Sequence, residues 1–187
     1  MAQEQKNNGV QDELALAQMQ GSLSLQQGNY EEALTWFMKA LEACEASKED
    51  NQGEMARIYS GIAAAYFGDG DYAECIKYAS QAIDICEMRL VEEMLQPTTE
   101  EHSMSVATDY AYACYLHGII YLGIEEFDVA ISWYEKSLFT YQAIERATGD
   151  KLEETESLKT AIEDAKTAKM QMQAASGSTN KATGKKL

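Results

Sequence analysis

The chain has 187 residues, which is enough for one domain or one short repeat array with a well-buried core. Hydrophobic residues make up 45% of it and charged residues 25%, with a single proline, so collagen-like, proline-rich and wholly disordered chains are excluded. The 31 acidic residues against 15 basic ones give a net charge of −16, which repels phosphate groups, so we expect neither nucleic acid nor an anionic membrane as a partner.

The N-terminal segment predicts a protein that stays inside the cell. Residues 1–13 are polar and no run of 18 apolar residues occurs, so we expect a cytoplasmic protein, with the nucleus as the alternative, and a flexible segment over 1–10. The four cysteines have no Cys-x-x-Cys spacing, and only His102 and His117 are available to join them. We therefore predict no metal site and no cofactor, and cysteines that act as small buried hydrophobes.

Hydrophobic spacing predicts an all-α fold. Apolar or small residues recur at helical intervals between residues 12 and 172, and strand-like alternation is missing. Glycine, asparagine, aspartate and proline mark the turns between these segments. The predicted helices are 11–27, 30–47, 52–68, 71–95, 99–122, 127–147 and 151–173.

Some helix ends carry local signals of their own. Pro97 disfavours helix in the residue before it, so a helix should stop at Gln96. Residues 174–187 have almost nothing to bury, so we predict a disordered tail there. Three predicted helix starts carry a capping pair, in which side-chain oxygens accept from unpaired backbone N–H groups. These pairs are Asn29 with Glu32, Thr98 with Glu101, and Asp150 with Glu153.

One spacing of aromatic and small residues occurs three times along the chain. An aromatic residue after a turn is followed by small or aromatic residues three, seven and ten positions later. These sets begin at Tyr30, Tyr72 and Phe127. A small residue stands upstream of each set, at Gly21, Ala63 and Gly118. Small residues let helices approach closely, and the aromatic side chains fill the space beneath each hairpin.

This pattern resembles the tetratricopeptide repeat, whose helix–turn–helix signature is W-x2-L-G-x2-Y, then A-x3-F, then P. The best matches are Tyr59-x2-Ile62-Ala63-x2-Tyr66 and Ala33-x3-Phe37. The aromatic anchors are 42 and 55 residues apart, which resembles the long-helix repeats of the kinesin light chain type, and the closing proline is missing.

The resemblance implies an architecture. It is a right-handed solenoid of three antiparallel hairpins, over 11–47, 52–95 and 99–147, in one domain over 11–173. The helix over 151–173 would be a capping helix that covers the last repeat.

The resemblance also implies a binding face, because ligands of this family usually lie in the concave groove lined by the first helix of each hairpin. In the repeat register this face is apolar and aromatic. Ala15, Gln18 and Leu122 lie on it, beside the predicted partner-binding residues. These are Met19, Ser22, Leu25, Arg57, Ser60, Gly61, Ala64, Phe67, Tyr112, Tyr115, Leu116 and Ile119.

The type of partner follows from what the groove lacks. Family members that hold the C-terminal carboxylate of Hsp70 or Hsp90 use a clamp of Lys, Asn and Arg. The matching positions here carry no such clamp, being Gln18, Ser22, Gly61, Tyr112 and Leu116. We therefore predict a non-enzymatic adaptor or assembly factor that binds an apolar or amphipathic segment of a partner protein, with basic flanks favoured by the acidic rim.

Several alternatives stay open at this point. The chain is also compatible with a small chaperone that masks a hydrophobic client segment, or with a self-associating structural subunit such as a homodimer. Tyr112 and Leu116 can equally be core residues of a central helix that is apolar nearly all round. Cys114 and His117 are one helical turn apart, but no third group orients them, which favours packing over catalysis.

Overall fold

The computed structural model describes residues 2–47 and 51–183, with side-chain surroundings for 9–47 and 51–175. These residues form seven α-helices and no strand, so the all-α prediction is confirmed. The helices are α1 (Ala2–Gln26), α2 (Tyr30–Ala46), α3 (Gln52–Asp69), α4 (Tyr72–Leu95), α5 (Glu100–Gly123), α6 (Phe127–Thr148) and α7 (Glu153–Thr183).

The five inner helices, α2 to α6, begin and end within one residue of their predicted limits. The outer two are longer than predicted. Helix α1 begins at Ala2, inside the segment predicted to be flexible, and α7 continues to Thr183, past the predicted start of a disordered tail at residue 174. Neither segment contains a proline, and a glycine inside a helix costs only about 1 kcal/mol, so neither segment carries a strong stop signal. Residues 184–187 of the predicted tail lie outside the described residues.

The three predicted capping pairs do not form. Asn29 precedes α2, but its side chain makes no capping hydrogen bond there. Thr98 donates its N–H to Glu93 at 2.7 Å and leaves the cap of α5 to Thr99, whose hydroxyl accepts from the N–H of His102 at 3.2 Å. Asp150 lies too far upstream, because α7 begins only at Glu153. A competing polar group thus removes the second pair, and a later helix start removes the third.

The helices form three antiparallel hairpins, α1–α2, α3–α4 and α5–α6, which stack in chain order. Helix α2 also packs on α3, and α4 packs on α5, so α2 and α4 each lie between two first helices. The first helices contact each other directly, α3 touching both α1 and α5, and together they line one face. Helix α7 covers α6, burying Leu158, Ile162 and Ala165.

Aromatic rings lie against bare glycine backbone in all three first helices, α1, α3 and α5. A Cβ built on Gly21 would meet the Phe37 ring at 3.0 Å, and one on Gly61 would meet the same ring at 2.5 Å. In the third hairpin a Cβ on Gly118 would lie 2.3 Å from the ring of Tyr134. Glycine at these positions therefore sets how closely the helices approach.

Helices α4 and α5 have 24 residues each and are joined by a tightly held turn. The carboxylate of Glu93 accepts from the Ser103 hydroxyl at 2.5 Å and from the N–H of Thr98 at 2.7 Å. These hydrogen bonds hold the pKa of the Glu93 carboxyl below its ordinary value. The turn that contains Pro97 is thus held in place by hydrogen bonds to the Glu93 carboxylate.

All four cysteines are buried and free of disulfides. Burial raises the pKa of Cys75, Cys86 and Cys114 to about 12, so these thiols stay protonated at neutral pH. Among the described helices, we find none with the length and apolar character needed to cross a bilayer.

Candidate functional site

The face lined by α1, α3 and α5 contains a cavity of about 340 Å³. Five predicted partner-binding residues line it, and so does Gln18. Two aromatic side chains of second helices, Phe37 of α2 and Tyr141 of α6, also line it. The full lining is Gln18, Ser22, Leu25, Phe37, Arg57, Gly61, Thr108, Asp109, Tyr112 and Tyr141.

A second cavity of about 340 Å³ adjoins the first and continues to the start of α7. Tyr112 and Tyr141 line both cavities. The other lining residues are Tyr115, Glu153, Glu154, Ser157 and Leu158. Tyr112 is 46% exposed, and it stands where the two cavities meet. The groove therefore runs from α1 across the array to the capping helix, with an exposed tyrosine at its centre.

A third, wider depression of about 840 Å³ opens beside the first cavity along the N-terminal half of α5. Arg57, Thr108 and Asp109 line both, so the two are continuous. Its remaining lining is Thr99, Glu100, Glu101, Met104 and Ser105. Carboxylates thus lie at two margins of the concave surface, Glu100 and Glu101 here and Glu153 and Glu154 near α7.

A chain of polar contacts crosses the floor of the groove. Gln18 of α1 donates to Glu54 of α3 at 2.8 Å, and Arg57 pairs with the same Glu54 carboxylate at 2.8 Å. Arg57 also faces Asp109 of α5, with 3.8 Å between their nearest charged atoms. Asp109 makes its closer pair with Arg89 of α4, at 2.8 Å. The network therefore links all three first helices.

The Arg89–Asp109 pair depends on a glycine. Both side chains are only 11% exposed, and the Arg89 guanidinium lies beside α3 where it meets α5. A Cβ built on Gly53 of α3 would lie 2.9 Å from the Arg89 guanidinium carbon. Gly53 therefore leaves room on α3 for the guanidinium that pairs α4 with α5.

The predicted site residues divide into two sets. Ser22, Leu25, Arg57, Gly61 and Tyr112 line the first cavity, and Tyr115 joins Tyr112 in the second. The other six lie outside both cavities. They are Met19, Ser60, Ala64, Phe67, Leu116 and Ile119.

These six side chains have other places in the fold. Ser60 and Leu116 are core residues, 3% and 6% exposed, and Leu116 packs in a cluster with residues of α3 and α4. Met19 is 60% exposed on a different side of α1. Phe67 packs edge-on against Tyr72 at 5.8 Å between the ring centroids. Ala64 and Ile119 are half-buried against neighbouring core clusters.

Sequence reasoning missed four residues that line the first cavity. Thr108 and Asp109 lie one helical turn before Tyr112, so extending the same helical stripe would have found them. Phe37 and Tyr141 belong to second helices, where the repeat pattern predicts packing only. Phe37 reaches the groove because Gly21 and Gly61 have no side chain to stop it.

The groove tyrosines are neutral anchors. Burial, with a smaller contribution from Glu154, raises the pKa of Tyr141 to about 12, and burial also raises the pKa of Tyr112. Each therefore keeps its hydroxyl proton at neutral pH and offers a ring with a hydrogen-bonding tip.

Cys114 and His117 are both packed in the interior of the fold. His117 is 4% exposed, its Nδ1 donates to the carbonyl of Ala113 at 3.0 Å, and its ring lies 4.7 Å from that of Trp133. Burial lowers the pKa of His117. Across the described part of the chain, no three His, Cys, Asp or Glu side chains lie close enough together to hold a metal ion.

Comparison with known proteins agrees with the repeat pattern. A family model described as a tetratricopeptide repeat matches residues 13–88, and a second model of the same description matches 111–138. Together the two matches cover more than half of the chain. Sperm-associated antigen 1A of Danio rerio is 28% identical over 72 residues, which is 38% of this chain and 17% of that protein. The match thus spans less than a fifth of that relative.

Proposed function

The chain belongs to the tetratricopeptide repeat family, whose repeats are protein-interaction modules, and from this premise we propose an adaptor or assembly factor. It binds an apolar or amphipathic segment of a partner protein in the concave groove, without catalysis of its own.

The position of Tyr112 carries this proposal. An aromatic ring that is 46% exposed, at the junction of two cavities, is a natural anchor for a partner side chain. Leu25, Phe37 and Tyr141 supply apolar surface around it. Tyrosine buries a large area on binding and loses little side-chain entropy, which makes it a frequent hot spot.

The charges favour basic residues at the ends of the bound segment. Glu100 and Glu101 flank one margin of the concave surface, and Glu153 and Glu154 flank the end near α7. Among the described residues that line the three cavities, Arg57 is the one cation, and it already pairs with Glu54. A partner carboxylate would therefore meet net negative charge, whereas lysine or arginine would meet unpaired acidic side chains.

A random peptide library displayed on phage, selected on the intact protein, tests the groove directly. We expect selected peptides with two or more large apolar residues and at least one basic residue. Tyr112→Ala should weaken their binding by about tenfold, because a central aromatic anchor is removed. Phe139→Ala is the matched control, since Phe139 is 68% exposed on α6 and lines none of the three cavities.

Fluorescence anisotropy with labelled peptides gives the affinities, and circular dichroism checks that both variants keep their helices. If Tyr112→Ala binds as tightly as the unchanged protein, or if Phe139→Ala loses binding instead, the groove proposal is wrong. Selected peptides rich in aspartate or glutamate would contradict the preference for basic flanks.

A further inference from the structure

Successive hairpins stack through one face of each first helix. In α3 this face contains Ile58 and Ala65, both fully buried in a cluster with Phe37 and Ala40 of α2. Gly61 lies between them on the same face, against the Phe37 ring. The second helix of the first hairpin therefore covers this face of α3.

The same face of α5 is covered in the same way. Leu116 and Ile120 are 6% and 0% exposed and share a buried cluster with Cys75 and Ala79 of α4. Ala113, at the start of the face, is 1% exposed. At the α4–α5 interface, large apolar side chains of the first helix thus pack on small residues of the preceding second helix.

The corresponding face of α1 is open. The repeat register aligns Gly21 with Ala63 and Gly118, which places Leu16, Met19 and Leu23 at the positions of Ala113, Leu116 and Ile120. These three side chains are 50%, 60% and 45% exposed. They follow one another at i, i+3 and i+7, so they form one stripe along about two helical turns.

We propose that Leu16, Met19 and Leu23 form a docking surface for an amphipathic helix of a partner protein, separate from the concave groove. That helix stacks on α1 as α2 stacks on α3 and α4 on α5, and it presents alanine-sized residues where α4 presents Cys75 and Ala79. The same stacking interface forms twice within the chain, at α2–α3 and α4–α5, and the matching face of α1 is the one that no described helix covers.

A second copy of the chain is a poorer occupant. The α2 and α4 faces that fit this stripe are already buried within their own array. The outward side of α7 is charged, with Glu156, Lys159, Glu163 and Lys166 all exposed. A net charge of −16 also opposes association between copies.

A peptide copied from α4 can serve as the probe for this surface. A synthetic peptide of residues 72–88 reproduces the α4 face, with Cys75→Ala and Cys86→Ala to prevent oxidation and Gln81→Glu to allow a lactam with Lys77 that holds the helix. The nine methionines, labelled with ¹³C at the methyl group in the intact protein, report where this peptide binds. We expect the Met19 resonance to shift while the Met104 resonance, from the concave surface, stays in place.

Affinity is then compared between two variants with the same chemistry. Met19→Glu should weaken peptide binding at least about tenfold. Met170→Glu, on α7, should leave it unchanged, and Met19 and Met170 are equally exposed at 60% and 61%. A peptide with Ala79→Glu should fail to bind, because its contact face no longer has a small residue there.

Each other result overturns the proposal. A shift of Met104 in place of Met19 would put the peptide in the groove, and loss of that binding in Tyr112→Ala would then support the proposed function alone. A Met19 resonance that moves with protein concentration, without peptide, would make a second copy the occupant. No shift of Met19 up to about 1 mM peptide would leave the stripe without this role.

Discussion

The first and third hairpins fill their interiors with an aromatic ring on a glycine, whereas the middle hairpin pairs two alanines. Phe37 lies on Gly21 and Tyr134 lies on Gly118, and both contacts are made within a single hairpin. The middle hairpin has Ala63 and Ala79, which share their cluster with Leu116 and Ile120 of the next hairpin. Each outer hairpin therefore supplies the large ring of its own interior, whereas the middle hairpin packs its two alanines against large side chains of α5. Neither outer hairpin is isolated, because Phe37 also lies against Gly61 of α3 and Tyr134 also shares a cluster with α7.

This difference shows that repeats with the same register can be stabilised by different contacts. An aromatic ring packed on a glycine stabilises the contact between the two helices of its own hairpin. Where both positions are alanine, the remaining space is filled by side chains of the neighbouring hairpin. We therefore expect Leu116 and Ile120 to couple the middle hairpin to the third.

Leu116→Ala should break this coupling and have the largest effect. It removes a buried side chain that joins two hairpins, so the free energy of unfolding should fall by about 3 kcal/mol in urea denaturation. Met19→Ala, at the same repeat position but 60% exposed, should change it by less than about 0.5 kcal/mol. Equal losses in the two variants would contradict the assigned difference in burial.

Gly118→Ala tests the ring-on-glycine contact of the third hairpin. The new Cβ would lie 2.3 Å from the ring of Tyr134, a residue that is 2% exposed and has little room to move. We therefore expect the free energy of unfolding to fall by about 2 kcal/mol. Gly9→Ala is the control, because that Cβ meets nothing within 4 Å, and there the better helix propensity of alanine should raise stability by about 0.5 kcal/mol. Thermal and urea unfolding of both variants measure the contrast.

The pH dependence of stability distinguishes the third hairpin from the first, because His117 takes the repeat position of Gln20. Burial lowers the pKa of His117 in the folded chain, so below about pH 6.5 the unfolded chain binds a proton that the folded chain does not. The free energy of unfolding should therefore be unaffected by His117 above that pH and should decrease as the pH falls below it. His117→Gln should remove this contribution to the pH dependence, as measured by urea denaturation between about pH 7 and pH 5.

Gly21→Ala should have the smallest effect, and it sharpens the comparison between the outer hairpins. Here the new Cβ would be 3.0 Å from the Phe37 ring, so a shift of a few tenths of an ångström relieves the contact. The gain of about 1 kcal/mol in helix propensity offsets most of this cost, leaving a net change near zero. A loss as large as that of Gly118→Ala would mean that Phe37 is held as rigidly as Tyr134.

Helix limits and repeat register are properties that the sequence reveals locally. The ends of α2 to α6 are predicted within one residue because turn residues and hydrophobic spacing act over a few positions. The same register places Leu25, Arg57 and Tyr112 on the face where the structure has its groove. The outer ends of α1 and α7 are missed, because no proline or cap marks them.

Burial at one repeat position depends instead on the neighbouring hairpin. Leu116 and Met19 share a register, yet one is core and the other exposed, because α4 precedes α5 and no described helix precedes α1. The Arg89–Asp109 pair likewise joins α4 to α5 and needs the space left at Gly53 of α3. A single helix can encode which of its sides is apolar, but only the stacked array decides whether that side is covered.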